Sequence, residues 1–217
     1  SAGGGAVLLP IAGPPTRLGG AEFRITHGQS ETPEALALNA RLRGLERPDL
    51  AIADLTLTGD GRVAQAAGTV ALDLRFAALG IAPAAPELAR AIGPEVTGTA
   101  RVDWRRGAPL RLPRVRLDGE GYGLTLSQVE LGGLDTAGRL SGRVEGRLDD
   151  LSQFAGLAGR PLSGAAALDL SGSYAALSGE GTVDLVLNGS DLGLGQPEAD
   201  ALLRGASRIA LAAVRDQ

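Results

Sequence analysis

Apolar residues occupy alternate positions through most of this chain, and the clearest run is residues 69–76. There Val70, Leu72, Leu74 and Phe76 take one phase while Ala71, Asp73 and Arg75 take the other. Successive side chains of an extended chain point to opposite faces, so this spacing builds one apolar face and one polar or small face. The same device organises residues 158–189, which read as a strand, a tight turn and a second strand. Ala166, Leu168 and Leu170 share a phase on the first, and Val183, Leu185 and Leu187 on the second.

The alternation recurs along the chain. It places Phe23 with Ile25, Leu55 with Leu57, Val102 with Trp104, Tyr122 with Leu124 and Leu126, and Leu140 with Val144 and Leu148. Residues 36–45 fit both periods: Leu36, Leu38, Ala40 and Leu42 step by two, while Leu38, Leu42 and Leu45 also suit a helix. A strand is expected there. A bulge is expected after Ile52, and Pro113 predicts an edge or a bulge because it cannot donate to a ladder. Gly59-Asp60-Gly61 and Asp118-Gly119 read as hairpin turns. Residues 6–11 form one further apolar run with the length of an edge strand, and the last strand is expected over 208–214.

Three short helices interrupt this pattern. Pro86 suits a first helical position, Glu87 the dipole there, and Gly93 a left-handed cap. Asp150 caps a second over 151–158, ended by Gly159, and a third runs over 197–204 to Gly205. The first two helices begin an internal echo at an offset of 66 residues. Gly93, Gly98, Ala100 and Asp103 recur as Gly159, Gly164, Ala166 and Asp169. The expected organisation is one β-rich segment, with repeat units near 36–105 and 106–187 and a C-terminal helix and strand over 197–214.

Composition narrows the chemistry. The chain has 217 residues, a net charge of −4 and no cysteine, and all 21 of its Lys and Arg positions are Arg. No disulfide frame, thiolate zinc site or cysteine nucleophile is available. The absence of lysine removes P-loop, Schiff-base and Ser–Lys chemistry. No basic cluster appears, which argues against nucleic acid as a partner. The apolar runs are too short and too broken by Gly and Pro to span a bilayer as helices. Methionine is absent even at position 1, and the expectation is a piece of a longer protein.

No catalytic constellation emerges, so the chain reads as non-enzymatic and without a cofactor or metal. His27 is the only histidine, with no second His or Cys to share a metal, and reads as a strand-end surface residue. Asp149-Asp150 reads as helix capping. Gly119-Glu120-Gly121-Tyr122-Gly123 precedes a strand rather than a helix, so it offers no helix N-terminus to a phosphate. Ser163, Ser171 and Ser178 lack a nucleophile-elbow context. Aromatic residues are 3% of the chain, few for the platforms of a polysaccharide cleft. What remains is the Leu/Val/Ala surface itself. Burying one methylene is worth about 0.8 kcal/mol, so an acyl chain gains on the order of 10 kcal/mol by leaving water for such a face. The competing reading is that this face packs on a second sheet as a sandwich core.

From Leu151 onward the chain resembles the TamB family of Gram-negative envelope proteins. The likeness rests on the helix ending in Gly-Arg-Pro-Leu-Ser-Gly (159–164), the strand over 166–171 with Gly172-Ser173, and the Asp-Leu-Gly-Leu-Gly turn before a Pro-initiated helix (191–205). Leu55-Thr56-Leu57-Thr58-Gly59 and the strand over 36–45 look similar too. The resemblance implies an inner-membrane-anchored periplasmic protein similar to AsmA-like and bridge-like lipid-transfer proteins. Its implied fold is a curved antiparallel sheet forming an open, taco-like trough. Its implied role is to move phospholipid toward the outer membrane and to support outer-membrane protein assembly through an Omp85-type partner, bound by parts of the parent chain not present here.

The fold expected is therefore mostly β, a curved antiparallel sheet forming an open trough, with two or three short helices. The lining of the trough is assigned to Val70, Leu72, Leu74, Phe76, Val102, Trp104, Leu124, Leu126, Leu168, Leu170, Val183, Leu185 and Leu187, with phospholipid acyl chains as the partner. The alternative is a structural or adhesive β-solenoid or sandwich segment of an exported surface protein, with a dry interior. A polysaccharide-active β-helix enzyme would need carboxylates clustered on one face, and here they are scattered through turns and caps.

Overall fold

A computed structural model describes residues 16–29, 32–132, 138–175 and 178–215. The edge strand expected over 6–11 lies outside them. Eleven strands follow one another as an antiparallel meander: β1 (Arg17–Gln29), β2 (Thr32–Glu46), β3 (Leu50–Ala64), β4 (Thr69–Pro83), β5 (Glu95–Arg105), β6 (Leu110–Gly119), β7 (Tyr122–Gly132), β8 (Arg139–Leu148), β9 (Ser163–Ala175), β10 (Gly181–Gly193) and β11 (Ala206–Arg215). Spatial order equals chain order, and the sheet is open and uncurled, with β1 and β11 at its edges. The mostly β, antiparallel reading with three short helices holds. The expected curvature is not there: the sheet is uncurled, and the trough of that reading is a broad open face.

The helices all lie in connections at one end of the sheet. Helix α1 (Pro86–Ile92) joins β4 to β5, a 3-10 turn (Leu151–Phe154) running into α2 (Ala155–Ala158) joins β8 to β9, and α3 (Pro197–Leu202) joins β10 to β11. Proline opens α1 and α3, as expected of its fixed φ. Gly93 and Gly159, at φ +77° and +63°, end α1 and α2. The Asp150 carboxylate accepts from the Ser152 amide at 2.8 Å, as its capping position requires. Helix α3 stops at Leu202, short of Gly205, with Leu203 as its cap.

The residues expected to be a helix–strand ambiguity, 36–45, lie wholly within β2. The bulge expected after Ile52 is not formed: the pairing passes over Ala53, between Gly44 and Gly80 at φ +58° and +65°, and resumes in the same register on both sides. Pro113 falls where the β5–β6 register slips between Arg101 and Asp103, so it marks a bulge inside the sheet. Two turn readings need correction. Gly59-Asp60-Gly61 sits within β3, paired to Leu74, Asp73 and Leu72; the turn comes at 65–68. The β6–β7 turn is Glu120-Gly121, with Asp118 and Gly119 still in the ladder.

No second layer covers this sheet among the described residues. The chain exposes 13860 Å² for a mass of 21.9 kDa, where a compact monomer of that mass exposes about 9,300 Å². Among the described residues, buried apolar residues are few and mostly small, including Ala78, Ala91, Ala166 and Ala175, and no large side chain is fully buried. The sandwich-core reading requires the opposite.

Candidate functional site

Directly paired residues project to the same side of a sheet, so the register shows which side chains share a face. One row crosses all eleven strands: Phe23, Ala40, Leu57, Phe76, Gly98, Leu117, Leu124, Gly146, Leu168, Leu187 and Ile209. A neighbouring row on the same face runs Ile25, Leu38, Gly59, Leu74, Ala100, Val115, Leu126, Val144, Leu170, Leu185 and Leu211. Neither contains a polar side chain. Ten interstrand steps make each row about 48 Å long.

All thirteen residues assigned to the lining fall on this face. Eight stand in the two rows; Leu72 pairs with Val102, Val70 with Trp104, and Val183 with Gly172. Most are half-buried by their neighbours, while Trp104 and Val183 are about two-fifths exposed, at 40% and 41%. Residues the assignment omitted share the face, notably Leu57, Val115, Leu117, Val144 and Leu211. Their period-two signal was present but broken by Pro113 or by alternating glycines such as Gly142 and Gly146.

Glycine has a specific use here. A Cβ on Gly59 would meet Leu74 at 2.5 Å, one on Gly98 would meet Phe76 at 2.5 Å, and one on Gly119 would meet the Tyr122 ring at 2.2 Å. Gly146 lies beneath Leu168 and Leu124 in the same way. Large side chains thus lie flat across bare backbone on the adjacent strand, shielding strand glycines that otherwise weaken a sheet. The face is kept one side chain thick.

The opposite face is a lattice of charge. Arg41 pairs with Asp54 at 2.6 Å, Arg111 with Glu130 at 2.9 Å, Arg116 with Asp118 at 2.8 Å, and Arg143 with Asp169. These pairs are solvent-exposed, so each contributes little to stability. They mark this face as the one turned to water.

At the helical end, α1 packs against α2 and its preceding 3-10 turn. These two connections leave the sheet at β4–β5 and β8–β9 and meet across the strands between. The Tyr122 hydroxyl donates to the Ile92 carbonyl at 3.2 Å, and the Tyr122 and Phe154 rings meet edge-on at 6.2 Å. Burial raises the Tyr122 hydroxyl above its ordinary pKa. Gln153 Nε2 donates to the carbonyls of Ala91, at 3.1 Å, and Glu120, at 3.2 Å. A clasp of two helices and one hairpin therefore holds one end of the apolar face.

The polar candidates take the places expected of them. His27 is an exposed residue near the end of β1. Asp149 pairs with Arg147 at 3.4 Å while Asp150 caps its helix. Asp191 Oδ1 accepts from the Gly205 amide at 2.9 Å, across the α3 connection. Among the described residues no group of three or more His, Cys, Asp or Glu is placed to hold a metal, and no helix is long and apolar enough to cross a membrane. No family model matches the chain, and no curated protein or solved structure matches it either.

Proposed function

We propose that this chain is a non-enzymatic segment of a periplasmic lipid-transfer conduit. In this reading the apolar face carries phospholipid acyl chains between inner and outer membrane, as part of an inner-membrane-anchored parent that supports outer-membrane biogenesis. The reading follows the TamB-like character of the sequence, including an Omp85-type partner engaged by other parts of the parent. The observation that supports it is the pair of unbroken apolar rows across eleven strands with no covering layer among the described residues. Apolar surface of this extent is costly to leave in water, and acyl chains would cover it without any directional polar contact.

The test is lipid extraction and native mass spectrometry of the purified chain, alongside Leu72→Arg and Leu185→Arg. Co-purified phospholipid in the unsubstituted chain, lost in both variants with the β circular-dichroism signal retained, is the expected result. An unsubstituted chain that carries no lipid overturns the reading and favours an adhesive or structural segment. Collapse of the fold in both variants does so too, because it assigns Leu72 and Leu185 to a packed core.

A further inference from the structure

Strand β11 is apolar on both faces. Its pairing with β10 puts Ile209, Leu211 and Ala213 on the apolar face, opposite Leu187, Leu185 and Val183. On the other face it puts Ala210, Ala212 and Val214, opposite Val186, Asp184 and Thr182. From residue 209 to 214 no side chain is charged or polar, which is the pattern of a strand covered on both sides. Yet nine of its ten residues are exposed, and among the described residues it pairs only with β10. The other rim is different. Strand β1 carries Glu22 and Arg24 on its second face, with Glu22 held to Arg43 at 3.2 Å. Charge on an edge strand discourages further pairing, so one edge is guarded and the other is not.

The strand count decides how a second copy can meet β11. With eleven antiparallel strands in chain order, β1 and β11 run in the same direction. Two copies set edge to edge, apolar faces on the same side, can then use β11 in two ways. Head to tail, β11 meets β1 in parallel, and the contact repeats without closing. About a two-fold axis normal to the sheet, β11 meets β11 of the second copy antiparallel, and the contact closes. The second arrangement uses the unguarded edge twice and the charged edge not at all.

We propose that β11 is the dimerisation strand of this chain. It pairs antiparallel with β11 of a second copy, with Ala210 opposite its own counterpart and Ile209 opposite Leu211 of the second copy. The alignment follows from the apolar rows. One row ends on Ile209 and the other on Leu211, so this register carries each row into the other across the joint. It also sets Arg208 against Ala212 and Ala206 against Val214, and brings no like charges face to face. The backbone N–H and C=O groups along the open edge find partners, and the apolar side chains of 209–214 gain cover from the facing strand. The joined sheet presents a single apolar face of twice eleven strands. This inference stands on strand pairing and does not depend on the lipid reading.

The test exploits the absence of cysteine from the 217-residue chain. Ala206→Cys and Ala210→Cys on β11, and Ala21→Cys on β1, each introduce a single thiol, and each purified variant is oxidised and separated without reductant. Ala210→Cys is expected to form a covalent dimer while the other two stay monomeric. A disulfide needs Cα atoms within about 7 Å, and Ala206 stands about 27 Å from its counterpart in this pairing at the rise of a strand. Charge gives a second readout. Ala210→Lys and Ala210→Glu should each raise the dimer dissociation constant, measured by sedimentation, about fivefold, because like charges then meet at the axis. A one-to-one mixture of the two should restore it, since opposite charges meet instead, and the β signal should be unchanged in both. A chain that stays monomeric at all concentrations, crosslinking as strong at Ala206 or Ala21 as at Ala210, or a mixture no tighter than its components would overturn the inference. None of these results turns on bound lipid, so the conduit reading stands or falls separately.

Discussion

The ring of Phe76 on β4 lies over the backbone of Gly98 on β5. A Cβ at Gly98 would stand 2.5 Å from that ring and 2.3 Å from the Arg116 carbonyl on β6. The residue is therefore constrained from both neighbouring strands, by a side chain on one and by main chain on the other. Gly98→Ala should cost about 1–3 kcal/mol, the usual range for overpacking. Trimming the ring in a Phe76→Ala, Gly98→Ala double variant should recover only part, because the carbonyl contact persists. Urea denaturation of both variants and of Phe76→Ala alone measures this; full recovery in the double variant would show that the ring alone sets the constraint.

Tyr122 ties the clasp to the sheet. Tyr122→Phe keeps the ring over Gly119 and against Phe154 but removes the hydrogen bond to Ile92, and should cost about 1 kcal/mol. Tyr122→Ala should cost more, and should increase amide exchange in residues 86–92 and 151–158 before it affects β1–β3. Uniform loss of protection along the sheet would mean that the helices are not held as a local unit.

Strand β11 is an edge with an apolar face. Ile209 is 42% exposed and Leu211 56% exposed, and among the described residues the strand pairs on one side only. Such an edge templates pairing with other chains, and natural proteins protect edges with charge. Sedimentation of the isolated chain should show concentration-dependent association that Leu211→Lys reduces. Association unaffected by that substitution would place the contact elsewhere.

Acid should weaken the fold through two depressed carboxylates. The hydrogen bond from Arg116 lowers the Asp118 pKa, and the hydrogen bond from the Ser152 amide lowers that of Asp150. A group with a folded pKa below its unfolded one stabilises the fold above the unfolded value, and that contribution is lost as pH falls through the folded value. Both groups are exposed, so the effect is small, and it should develop as pH drops below about 4. Asp150→Asn retains the capping oxygen without its titration; it should leave the midpoint at pH 7 nearly unchanged and flatten the acid side of a thermal-melt series.

Much of this architecture was legible because a strand with one wet face writes a period of two into its sequence. Val70 to Phe76 and Val183 to Leu187 carry that signal without interruption. Helix ends were legible for a different reason: Pro86, Gly93, Asp150 and Gly159 act locally, through φ and through capping. Gly59-Asp60-Gly61 was misread because its glycines meet a tertiary need, room beneath Leu74 and Leu72, that composition cannot distinguish from a turn. The meeting of α1 with α2 was not legible. Gln153 reaches Ala91 across 62 residues, and only the register of the strands between brings them together. The same holds for the two apolar rows, since each strand announces its own phase but not its alignment with the next.

Because every strand pairs only with those before and after it in the chain, nearly all contacts outside the clasp join sequence neighbours. A molecule built this way can assemble progressively from either edge, each hairpin adding to the last, as linear arrays do. Pulled by its ends, it should come apart hairpin by hairpin in a series of small force peaks, with the largest where the helical connections bind β4 through β9 together.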